Sequence, residues 1–208
     1  MRNLLLSSLL FSLIFSCSPK LYKDLKNDSE RTETLVPVFN EQVSSYLYKA
    51  KIDILTHYLS GLLFIKPIGK DTFRLVFTNE LGVKFFDVEY FPNGSKVHYA
   101  MEKLDRKVVM NTLEKDIKLF LMTDFSLQEG ERLTDENKEK KIFKFKEKKD
   151  FYYYFLNREN QITRIENTSK SKVKIEVDLK DYKNGIPYFI NIKHNSFKFN
   201  IELNYLER

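Results

Sequence analysis

The sequence predicts a mainly β fold: a curled antiparallel sheet forming an unclosed, half-open β-barrel of about eleven strands, with one or two helices as its lid. Three observations predict it. Apolar and polar residues alternate with period two through most of the chain after Asn40. Short polar turns separate the alternating stretches. A single long segment, "KLDRKVVMNTLEKDIKLFLM", breaks the alternation with apolar residues three and four apart.

The chain opens with Arg2 and an apolar run from Leu4 to Phe15, ending in the small residue Ser16. This run is too short for the ~20 residues of a membrane-crossing helix. A cationic start, a short apolar middle and a small residue describe a secretory signal peptide over residues 1–16. The only cysteine, Cys17, follows directly in "IFSC". That arrangement resembles a bacterial lipobox, which implies a diacylglyceryl group on the Cys17 thiol and Cys17 as the mature N-terminus. The alternatives are an ordinary signal peptide with an incidental cysteine, or an uncleaved anchor. An exported chain with one cysteine has no internal disulfide, so its core must hold it together. About 190 remaining residues suffice for one domain.

Residues 17–39 after the leader are polar and aperiodic, and read as a flexible tether. A single domain is then expected over residues 40–208. In "SYLYKAKIDIL", Tyr46, Tyr48, Ala50, Ile52 and Ile54 share one side, with Lys49, Lys51 and Asp53 on the other. "LSGLLFIK" is apolar on both sides, which predicts a strand covered on both. "TFRLVFT", "VKFFDVEYF" and "SKVHYAM" follow, separated by "TNELG" and "PNG", so the first five strands form a meander. The helical segment comes next, with Leu104, Val108, Leu113, Ile117, Phe120 and Leu121 as its apolar stripe over about five turns. A charged loop leads to six further alternating stretches, from "KIFKFKEK" to "FKFNIELNYL". So many antiparallel strands twist and curl, which leaves a concave side for the helix.

The order of elements resembles the periplasmic lipoprotein-localisation factors LolA and LolB, LolB in particular. The residues carrying the resemblance are the lipobox-type start, the run "SGLLFIKPIGKDTFRLVFTNELGVKFFDVEY" and the closing "GIPYFINIKHNSFKFNIELNYL". Within the first run, Thr78, Asn79, Glu80, Leu81 and Gly82 fit a T-N-x-L-G loop between two apolar strands. The resemblance implies that this loop projects Leu81 towards a membrane to help hand over acylated cargo. Read from the residues alone, Leu81 either projects from the hairpin tip or folds back on the core.

Catalytic constellations are not evident. His57, His98 and His194 lie far apart, each in or beside a strand, and read as surface or barrel-wall histidines. Asp87 and Glu89 share a strand face opposite Phe86, Val88 and Tyr90, and read as a solvated carboxylate pair. No glycine-rich phosphate loop or nucleophile motif appears, so neither an enzyme, a cofactor nor a metal is expected. The net charge of +6 is spread among many acids, with no basic stripe for nucleic acid. What remains is an apolar concavity for acyl chains. Its expected lining is Leu63, Ile65, Phe73, Leu75, Phe77, Phe86, Val88, Val97 and Tyr99 on the strands, with Leu113 and Ile117 from the helix. Together with that concavity, the resemblance to LolB implies a monomeric lipoprotein, anchored in the outer membrane on the periplasmic side, that binds acylated lipoproteins or phospholipid. The alternative is a structural or adaptor lipoprotein of an envelope complex, using the same fold with its core filled.

Overall fold

The computed structural model describes residues 21–29, 34–54, 56–92, 94–102, 104–123 and 130–207. The leader 1–16 and Cys17 lie outside the described residues, as do 18–20 and 30–33 of the expected tether.

Alternation of apolar and polar residues becomes thirteen strands among the described residues. They are β1 (Lys26–Asn27), β2 (Tyr46–Ile54), β3 (His57–Gly69), β4 (Thr72–Thr78), β5 (Lys84–Phe91), β6 (Gly94–Ala100), β7 (Glu131–Thr134), β8 (Lys141–Glu147), β9 (Asp150–Leu156), β10 (Ile162–Thr168), β11 (Val173–Lys183), β12 (Ile186–His194) and β13 (Phe199–Tyr205). All belong to one sheet in the order β1-β7-β8-β9-β10-β11-β12-β13-β2-β3-β4-β5-β6. Every pairing is antiparallel. β1 and β6 are its two edges and do not pair with each other, so the barrel is unclosed.

The topology consists of two meanders, β2–β6 and β7–β13, joined where β13 pairs with β2. Between β6 and β7 lies the helix α1 (Lys107–Leu121). Since β6 and β7 stand at opposite sides of the sheet, the chain must cross it here. α1 makes that crossing over the concave face. Val109, Leu113, Asp116, Ile117 and Phe120 form its buried stripe, at the four-, three-, one- and three-residue steps of a helix face. They join one continuous core with the inward residues of the strands, among them Tyr48, Ile65, Phe77, Tyr154 and Ile190.

The open antiparallel fold is as expected, and among the described residues the eleven alternating stretches are joined by two short ladders, β1 and β7, that carry no alternation of their own. Several finer expectations need correction. The helix starts at Lys107, and Leu104 is buried in the turn before it. Val108 points outward, 77% exposed, and Val109 takes its place in the core. The outward side of β3 is only half-covered, at Leu62 and Phe64. The expected tether is in part packed: Leu35, Val38 and Phe39 enter the main core. Tyr22 and Leu25 cover a second apolar cluster of Leu133, Ile142 and Tyr153 on the convex face. Tyr22 donates its hydroxyl proton to buried Glu166, and its ring lies 4.7 Å from that of Tyr153.

Candidate functional site

The concave face and the hairpin ends that border it hold the candidate site. On the strands, Leu63, Ile65, Phe73, Leu75, Phe77, Phe86 and Val88 all face inward and are buried, and Leu113 and Ile117 of α1 pack with them. These nine side chains are neighbours in a closed core. Val97 and Tyr99 do not belong to it, being 48% and 45% exposed. The register of β5 against β6 shifts between Asp87 and Val88, so Val88 faces Val97 while Asp87 faces Tyr99. A bulge of this kind moves the following residues to the other side of the sheet. Tyr99 consequently lies on the outer face, where the Lys84 ammonium sits 6.0 Å from its ring centroid. Val97 keeps the inward phase, but β6 is an edge strand and α1 leaves it half-covered.

Space remains along one flank of α1. A cavity of about 700 Å³ opens between the helix and the ends of β8–β12. Leu119, Tyr152, Ile175 and Phe197 give it apolar wall, while Glu114, Lys118, Asp150 and Lys174 stand among its polar residues. Those charges are largely satisfied within the protein: Lys174 lies 2.6 Å from Asp150 and Lys118 lies 3.4 Å from Glu114. The cavity is of the size that takes small organic ligands, ~300–1,000 Å³.

At the inner end of this cavity is an arrangement the sequence reading missed. The imidazole Nε2 of His194 lies 2.8 Å from both carboxylate oxygens of Asp116, with side-chain exposures of 8% and 0%. Burial pushes the Asp116 carboxyl above its ordinary range, and the bond from His194 opposes that. Of the surface and barrel-wall readings, the second holds for His194, whose side chain is buried against α1, and its ring also lies 4.5 Å from Phe197 and edge-on to Phe199 at 5.1 Å. The two residues are 78 apart in sequence, so only one local sign existed. Asp116 is an acid seven residues after Val109, inside an apolar helix stripe. The pair ties α1 to the end of β12, and Tyr154 adds a hydroxyl bond to the Leu119 carbonyl at 3.1 Å.

The carboxylates on the outer face also differ from expectation. Asp87 is buried under Arg74 and Lys84, at 2.9 Å and 2.7 Å, which hold its carboxyl at about 2. Glu89 meets His98 at 3.2 Å. His57 is half-buried at the start of β3. No group of three metal-ligating side chains occurs among the described residues.

The "TNELG" hairpin is formed by its own residues. Asn79 Oδ1 accepts from the backbone N–H groups of Leu81 and Val83, and Gly82 supplies the positive φ of 83°. Thr78 ends β4, and Glu80 meets Lys49 at 3.2 Å. Leu81 stands out at the tip, 90% exposed, with Val83 beside it at 59%.

Among known proteins, no family model matches the chain and no curated protein matches it. Two solved structures align with it at low similarity. An outer membrane lipoprotein-sorting protein domain from Vibrio parahaemolyticus aligns with a TM-score of 0.44 and 12% identity, over 79% of this chain and 84% of that one. A LolA superfamily protein from Nitrosomonas europaea aligns with a TM-score of 0.46 and 9% identity, over 81% and 86%. Likeness at this level assigns no function.

Proposed function

We propose that this chain is an envelope lipoprotein, tethered through Cys17 to the outer membrane, that takes the acyl chains of lipoproteins or lipids under α1. The supporting observation is the flank of that helix. The amphipathic helix α1 lies over the concave face, and a cavity of about 700 Å³ with Leu119, Ile175 and Phe197 in its wall runs beside it. Each methylene that leaves water for such a wall gains about 0.8 kcal/mol, so an acyl chain needs no polar motif to bind. Further depth requires α1 to move, because the strand residues behind it are already packed against it. Cargo leaves when the bilayer hides its chains better than the cavity does. Leu81, exposed at its hairpin tip, is the residue proposed to meet the membrane at that step.

One observation favours the second reading, a structural or adaptor lipoprotein. Leu63, Ile65, Phe73, Leu75, Phe77, Phe86 and Val88 fill the concavity with core. Native mass spectrometry of the chain released gently from a bacterial envelope separates the two. A reproducible increment matching phospholipid or acylated peptide supports the carrier. A bare mass, unchanged on adding acylated peptide, returns the adaptor.

A further inference from the structure

In an antiparallel meander the hairpin turns alternate between two ends of the sheet, so the topology sorts the turns of this chain into two sets. One end carries the β2–β3, β4–β5, β8–β9, β10–β11 and β12–β13 turns. In them stand Lys148, Lys149, Lys170, Lys172 and Lys198, against a single acid, Glu80. The turns of the other end, β3–β4, β5–β6, β7–β8, β9–β10 and β11–β12, are mixed. They hold Lys70, Lys138, Lys140 and Arg158 with Asp71, Asp135, Glu136, Glu139 and Glu159.

Three further features gather at the cationic end. Leu81 projects from the β4–β5 turn, and Phe197 is 40% exposed in the β12–β13 turn. The cavity beside α1 is lined by Lys172, Ser196 and Phe197 of these turns, so it opens there. The N-terminal segment arrives there too, since the Leu21 N–H donates to the Lys170 carbonyl at 3.2 Å. Three residues lie between Leu21 and Cys17, so the four Cα–Cα steps span at most ~14 Å. Lys198 is neutralised by Asp53 at 3.0 Å and Glu80 by Lys49. Lys148, Lys149, Lys170 and Lys172 have no carboxylate partner among the described residues.

We infer that this end is a docking face for a bilayer containing anionic phospholipid. The four lysines read the negative surface charge, while Leu81 and Phe197 enter the interface, and the cavity mouth is thereby turned to the lipid. Unpaired lysines near an anionic leaflet are attracted over about a Debye length, and exposed apolar tips supply the shallow insertion. The inference rests on the reading that the body works at a membrane.

The chain has no tryptophan, so a single introduced one reports its own position. The test places Leu81→Trp, Phe197→Trp and, at the far end of β3, Ile68→Trp in the full-length chain reconstituted in vesicles of brominated phosphatidylcholine, with and without 30 mol% phosphatidylglycerol. With the anionic lipid, the two near-end reporters are expected to lose at least half of their emission and shift to the blue, and Ile68→Trp less than a tenth. Changing all four lysines to glutamate is expected to reduce near-end quenching severalfold, with an unchanged circular dichroism spectrum. Equal quenching at all three sites would overturn the inference, as would quenching indifferent to phosphatidylglycerol and to the lysines. Binding of acylated peptide in solution involves no bilayer, so it tests the carrier reading separately.

Discussion

Two of the buried carboxylates, Asp87 and Asp116, have opposite environments, and their responses to change follow from that. Asp87 sits under two cations and its carboxyl is held at about 2. A carboxyl depressed in the folded state contributes stability above its unfolded value, and that stability is lost as pH falls. The window here runs from about pH 4 down to about pH 2. Arg74 and Lys84 are themselves partly exposed, so screening leaves a contribution of about 1–2 kcal/mol. Urea titrations of Asp87→Asn should therefore show a shallower loss of stability between those pH values than the parent. Asp116 instead meets one imidazole in the core. Asp116→Ala would leave the ring of His194 buried without its acceptor, at a cost of about 2–4 kcal/mol of unfolding free energy. A midpoint in urea within error of the parent would show that the pair carries no stability. Of the two sites, the face of Asp87 was legible in the alternation of "VKFFDVEYF". The pairing of Asp116 with His194 was not, because the partners meet only when α1 lies across β12.

Elements show where pattern reading succeeds and where geometry overrides it. The inward sets of β2, β4 and β5 follow the period-two pattern residue by residue, since each strand has one dry face. Pattern fails at the bulge in β6, where one extra residue turns Tyr99 outward, and at the first turn of α1, where Val108 and Val109 are chemically alike and only packing separates them. β3 shows a constraint that no pattern carries. Gly61 lies where the end of β4 passes, and a Cβ there would sit 1.9 Å from the Thr78 carbonyl oxygen. Backbone cannot yield as a flexible side chain does, so Gly61→Ala is expected to cost at least 1–3 kcal/mol. Differential scanning calorimetry would register this as a Tm several degrees lower. An unchanged Tm would mean that β3 and β4 part easily at that point.

For the molecule as a whole, an open sheet with α1 across it fits both a carrier and a filled scaffold, and the difference lies in whether α1 yields. The fold class was legible because alternation, turn chemistry and one helical period all agree. The cavity was not, since its wall comes from six elements and its mouth from turns that alternate around the sheet. At this scale Leu81→Glu is expected to leave thermal stability within ~0.5 kcal/mol of the parent, because the side chain is almost wholly exposed. In a transfer assay between acylated cargo and vesicles it should slow delivery severalfold. Unchanged delivery would remove Leu81 from the mechanism. The central claim, that acyl chains enter beside α1, is tested most directly by a lipopeptide whose acyl tail ends in a diazirine. After irradiation and peptide mapping, label is predicted on the segments holding Leu119, Tyr152, Ile175 and Phe197, competed away by unlabelled lipopeptide. Label confined to the convex cluster of Leu133 and Tyr153, or no competed label at all, would contradict it.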